Sequence, residues 1–191
     1  GPDAMNMRHA LILAVLSLGL SGSHCGASSS GATLGPAPDF SLRTTTGESF
    51  RLGDHLGQKV IVLSFWTSFC PSCRTELSNF EELYQELADD GLLVVAVALD
   101  SSETVSDVRI LAERLGFSFP VVLDEESTVA GLYNPRGATP FTVLIDAEGR
   151  RVWAHEGFVA GDAEDLEARI RALLAEASGS GDGAGGGGGA Q

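Results

Sequence analysis

Phe65-Trp66-Thr67-Ser68-Phe69-Cys70-Pro71-Ser72-Cys73 joins a buried-looking apolar run to an amphipathic one. Upstream, Lys59 to Trp66 holds Val60, Ile61, Val62 and Leu63 in succession. That length and β-branched content predict a buried strand. Downstream, Leu77, Phe80, Leu83/Tyr84 and Leu87 recur every three to four residues, with Glu81, Glu82 and Glu86 mostly outside, so Pro71 to Ala88 is predicted helical. Pro71 fits the first helical position, where no N–H is needed and its fixed φ suits the helix. Cys70 is then the N-cap and Cys73 the third helical residue. A thiolate at Cys70 lies under free backbone N–H groups at the positive helix end, which lowers its pKa. Cys73 falls on the same face one turn deeper, near enough to close a small disulfide ring but less exposed.

The rest of the pattern alternates. Asp39 to Leu42 and Glu48 to Leu52 read as short strands around the turn at Thr44 to Gly47. Leu92 to Leu99 is a second buried strand, Thr104 to Leu115 a helix, and Val121 to Leu123 a short extended piece. Ser127 to Tyr133 reads as a short helix with Ser127 as its N-cap. Phe141 to Ile145 and Arg150 to His155 form a hairpin, and Ala163 to Ala175 a closing helix on Leu166, Ile170, Leu173 and Leu174. This order predicts an α/β fold: a three-layer sandwich of a central mixed sheet with helices on both faces.

Both ends differ from this middle. Gly1 to Ala4 look like a cloning remnant. Arg8 and His9 precede an apolar run from Ala10 to Leu20. As a helix that run rises about 16 Å, half a bilayer core, the length of a signal-peptide core and not of a span. Residues 1–25 are therefore assigned to the remnant and an export signal, 26–35 to a flexible tether, 36–177 to the folded domain, and 178–191 to a Gly-rich disordered tail. Cys25 follows the apolar run like a lipid-attachment cysteine, although His24 stands where a small residue is expected. Export places the chain in the periplasm or on a membrane facing it.

Of the 191 residues 43% are apolar and 20% charged, which excludes wholesale disorder. With 26 acids against 12 bases the net charge is −14, which argues against nucleic acid or an anionic membrane surface as main partner. Membrane contact is expected only through an N-terminal anchor. Three cysteines are too few for a disulfide scaffold. Half of a zinc site needs a second Cys/His pair, and His24, His55 and His155 show no ligand spacing. The pair is therefore read as redox-active, with no metal and no cofactor beyond a Cys70–Cys73 disulfide. Cys70 attacks a substrate disulfide, and Cys73 then attacks Cys70 and releases reduced substrate.

The chain resembles the thioredoxin superfamily, in particular the TlpA/ResA/CcmG-like branch of exported bacterial thiol-disulfide oxidoreductases. The resemblance covers Pro36 to Ala175 and rests on Ala37-Pro38-Asp39-Phe40, Phe65-Trp66, Cys70-Pro71-Ser72-Cys73-Arg74, Phe119 to Asp124, and Gly137-Ala138-Thr139-Pro140-Phe141 through Asp146. It implies a thioredoxin-like sandwich with an N-terminal β-hairpin and a helix-strand insertion at Asp100 to Tyr133. It also implies a cis Pro140 against the active site, with Thr139 offering its backbone to an extended substrate. Trp66 is a candidate substrate contact as well as a core residue. Ser64 stands where minimal thioredoxins bury an Asp, so the base for Cys73 must come from elsewhere; in the loop holding Asp100, Ser101 and Glu103, Glu103 is the candidate acid/base. Phe69 replaces the family's usual Trp. The expected partners are disulfide-containing exported proteins, apocytochrome c among them, and a membrane thiol electron donor.

Two other readings share this fold. A peroxiredoxin-type thiol peroxidase needs a Thr three residues before its cysteine, which Thr67 supplies, and a Pro four residues earlier, where Leu63 stands. A Sco-type copper chaperone spaces its cysteines by three residues and adds a downstream His; the spacing here is two, and the only late histidine is His155.

Overall fold

The computed structural model describes residues 33–180. The proposed export signal, Cys25 and most of the tether and tail lie outside that range. Eight strands form one sheet: β1 (Gly35–Pro36), β2 (Ser41–Thr44), β3 (Ser49–Arg51), β4 (Val60–Trp66), β5 (Leu92–Ala98), β6 (Val121–Leu123), β7 (Phe141–Ile145) and β8 (Arg150–Glu156). Four α-helices accompany them among the described residues, α1 (Pro71–Leu87), α2 (Val105–Leu115), α3 (Thr128–Tyr133) and α4 (Asp162–Ser180), with a single 3-10 turn at Leu52–Asp54. The strand order is β1-β8-β7-β4-β5-β6-β2-β3. β4, β5 and β6 run parallel, while the other pairings are antiparallel. The sheet is mixed, as expected, and β2 and β3 form the N-terminal hairpin.

Every residue of β4 and β5 is buried, which explains why these strands read as unbroken apolar runs. Alternate residues serve opposite faces. Val60, Val62 and Trp66 pack with Leu77 and Phe80 of α1, Val108 of α2 and Ile170 of α4. Ile61, Leu63 and Phe65 pack with Phe40, Leu52 and the α3 residues Val129 and Tyr133. Helices thus cover both faces, and α1 lies over the centre of the sheet with its N-terminus just past the end of β4.

Three details differ from the sequence reading. Gly35, the last residue assigned to the tether, pairs with Arg151 of β8 as Pro36 pairs with Arg150, in a two-residue strand too short to show periodicity. α4 runs on to Ser180, past the end at Ala175 and into the segment assigned to the tail. Ser127 precedes α3, but at φ 55° its side chain makes no capping bond. Asp124 does that work, because the turn folds its carboxylate back over the helix start. Its oxygens accept the N–H groups of Val129 at 3.2 Å and Ala130 at 2.8 Å.

Candidate active site

The sheet ends the working stretch at Trp66, and the loop Thr67–Phe69 carries the chain over to α1. Asp100, buried just past β5, holds that loop: its carboxylate accepts the Ser68 N–H at 2.9 Å and the Ser68 hydroxyl at 2.5 Å. Cys70 then takes extended backbone angles (φ −93°, ψ 107°) as N-cap, with Pro71 opening the helix. Its Sγ accepts the Cys73 N–H at 3.2 Å and lies 3.5 Å from the Ser72 hydroxyl. Cys70 and Cys73 are disulfide-bonded, with their Cα atoms 5.3 Å apart. Cys70 keeps 8% of its surface exposed and Cys73 none. When the bond opens, the Cys70 sulfur carries its charge among unsatisfied helix N–H groups, where a thiolate is stabilised.

Beneath the pair sits a carboxyl that sequence reasoning missed. Glu76 is one helical turn beyond Cys73 on the same buried face, a spacing that brings side chains within about 5–6 Å at Cβ. It is 1% exposed. Ser64 of β4 and Thr142 of β7 are register partners across the sheet. Their hydroxyls donate one to each Glu76 oxygen, both at 2.7 Å. Burial pushes the carboxyl up from 4.5 to about 7, with Asp162 adding to the rise and the two hydroxyls opposing it. A group balanced near neutrality can both take and return a proton. One side of Glu76 faces a cavity of about 200 Å³ lined also by Trp153, His155, Phe158, Asp162 and Arg169. A buried carboxyl is thus present on the helix side, and Ser64, where the resemblance leads one to look for an acid, donates to it.

Glu103, expected as the acid/base, is placed in the exposed turn before α2 and makes no side-chain hydrogen bond. Its neighbour Asp100 is a positioning residue for the loop. Trp66, expected to contact substrate, is fully buried and meets Phe117 edge-on at 6.5 Å, so it belongs to the core; the ring standing free beside Cys70 is Phe69, 72% exposed. The Thr139–Pro140 bond is cis. Asn134 grips the preceding residue, accepting the Ala138 N–H at 3.1 Å and donating to the Ala138 carbonyl at 2.7 Å. The Pro140 carbonyl accepts the Gly157 N–H at 2.8 Å. Among the described residues no group of three or more His, Cys, Asp or Glu side chains is arranged to hold a metal ion.

The pattern of the AhpC/TSA family matches residues 34–152. The chain belongs to the AhpC/TSA family. Thiol-disulfide oxidoreductase ResA of Geobacillus kaustophilus is 34% identical over 137 residues, covering 72% of this chain and 75% of that protein. Thioredoxin-like protein YneN of Bacillus subtilis is 40% identical over 114 residues, covering 59% of this chain and 65% of its own length. Among solved structures, a Chlorobium tepidum protein provisionally named thiol:disulfide interchange protein DsbE superposes with a TM-score of 0.68 at 32% identity, over 75% of this chain and 98% of that one. The fold is thioredoxin-like, and with its own Cys70–Cys73 disulfide the chain is a thiol-disulfide oxidoreductase that needs no cofactor.

Proposed function

We propose that the chain reduces disulfides of exported proteins, with Cys70 as nucleophile, Cys73 as resolving thiol and Glu76 as the proton carrier between them and solvent. The observation that carries this reading is the asymmetry of the pair: one sulfur at the surface on a helix N-terminus, the other sealed above a carboxyl balanced near pH 7. In the reduced protein the Cys70 thiolate attacks a client disulfide. A Cys70–client bond forms, the client S–S bond breaks, and the first client sulfur leaves as a thiolate that takes a proton. Cys73 gives its proton to Glu76 and attacks Cys70. The second client sulfur departs, the client has gained two electrons, and the protein is left with the disulfide seen here. A membrane dithiol donor returns it to the reduced form.

Thr139, beside the cis peptide, offers its backbone to an extended client segment in the manner of strand addition. Clients are disulfide-bearing proteins of the cell envelope, apocytochrome c among the candidates. The apolar N-terminal run directs export to the periplasm, and Cys25 is the candidate lipid anchor. No helix among the described residues is long and apolar enough to cross a membrane.

Trapping tests the roles. Cys73→Ser accumulates mixed disulfides through Cys70, and Cys70→Ser abolishes reduction of insulin. Equal, mild losses from the two changes contradict the assignment. Peroxide consumption without any dithiol partner favours the peroxidase reading instead.

A further inference from the structure

An open groove of about 290 Å³ lies beside Cys70, walled by the Ser68–Phe69 turn, Arg74 of α1 and the face of α2 that carries Asp107, Ile110 and Arg114. Two features set it apart from the surrounding surface. The first is apolar: Phe69, the residue before Cys70, and Ile110 across the groove are 72% and 63% exposed, large side chains left in water. The second is charge. The protein carries 26 acids to 12 bases, so two cations facing one acid go against the balance of the whole chain. Arg51, Arg136, Arg150, Arg169 and Arg171 all have carboxylate partners. Arg43 and Arg151 donate to backbone carbonyls. Arg74, Arg114, Arg109 and Lys59 have no such partner among the described residues, and of these Arg74 and Arg114 share the groove lining with one acid, Asp107. In a chain of net charge −14 the lining of this cleft carries two cations to one acid and is rimmed with apolar surface, with the Asp100 carboxylate buried behind Ser68.

Guanidinium groups bind carboxylates through paired N–H donors, and apolar contacts alongside reduce the water that screens them. We propose that this groove docks an extended client segment with an acidic side chain within a few residues of its reactive cysteine, Arg74 and Arg114 receiving the carboxylate and Phe69 and Ile110 its apolar neighbours. The proposal rests on the disulfide-reductase reading and names the client chemistry that this site selects. The protein as a whole repels acidic peptides, so the groove must overcome the long-range field. Selection therefore depends on short-range contact, within the roughly 8 Å over which exposed charges still act at physiological ionic strength.

The test uses the reduced full-length chain and two peptides, each closed by one disulfide and identical except that two Glu or two Lys flank the cysteine. At 0.15 M ionic strength, the value for that screening length, the Glu peptide is reduced about fivefold faster in kcat/KM, the size of one to two favourable surface ion pairs. The double variant Arg74→Glu/Arg114→Glu inverts the ratio. Arg109→Glu, an equal change of charge on α2 outside the groove lining, leaves it within about twofold. A ratio at or below one in the unaltered protein overturns the proposal. So does a ratio that survives the double variant, or one that Arg109→Glu moves as far. Reduction of both peptides at equal rates defeats the groove alone, whereas failure to reduce either defeats the reductase reading beneath it.

Discussion

Replacing Glu76 by Gln keeps the side chain's shape and removes its charge. The hydroxyls of Ser64 and Thr142 rotate, so one of them can accept from the new amide while the other still donates. In the folded protein burial holds the Glu76 carboxyl at about 7, against 4.5 for the free group. That displacement means that keeping the carboxylate ionised inside the fold costs on the order of 3 kcal/mol. Below about pH 4.5 folded and unfolded chains both hold the proton, and nothing is lost. As pH rises from 4.5 the unfolded chain releases it first, so stability falls, and the loss is complete above about 7. Glu76→Gln escapes this loss. The variant and the parent should unfold alike in urea at pH 4.5, and at pH 8 the variant should be more stable by about 2–3 kcal/mol. Measuring both oxidised proteins across that range cancels every other titrating group. A difference that stays flat with pH refutes the assignment of the raised acid to position 76. The same substitution removes the proton acceptor for Cys73 and should slow client release at pH 7 by about 10²-fold, the lower end for general acid–base catalysis.

Asp162 helps to raise Glu76, so Asp162→Asn should move the pH midpoint of the resolving step downward in single-turnover reduction; an upward shift contradicts the electrostatic origin. Asp124→Ala should cost about 1–2 kcal/mol in urea unfolding because it uncaps α3, whereas Ser127→Ala should cost a few tenths. Asp100→Asn leaves the Ser68 loop less firmly held, and should lower kcat/KM for disulfide reduction while changing thermal stability by about 1 kcal/mol or less, read by calorimetry.

The strand, the cysteine pair and the helix were legible because each is a local pattern. The apolar run, the Pro at the first helical position and the three-to-four residue stripe need no distant partner to be recognised. Glu76 escaped because an amphipathic stripe is read by its apolar members, and an acid within it registers as an exception to the period. The available signal was paired: a hydroxyl at position 64 of the buried strand, and a carboxyl one turn past Cys73 on the buried face. Only the register that sets Ser64 opposite Thr142 joins them. Trp66 ends its strand where burial depends on what covers the last residue, here Phe117 beyond α2. Glu103 and Asp100 share one loop, and sequence alone does not distinguish which acid turns inward; it is Asp100, three residues earlier, that is buried. β1 consists of two residues whose only structural reason is an edge more than a hundred positions away.

The sealed position of Cys73 has a consequence for traffic through the protein. The disulfide can be opened from one side, so whatever delivers electrons and whatever receives them must meet the same sulfur. The two visitors exclude one another and alternate, each leaving before the other arrives. A partner that lingers in that doorway keeps the other out, and so acts as an inhibitor without any separate regulatory site.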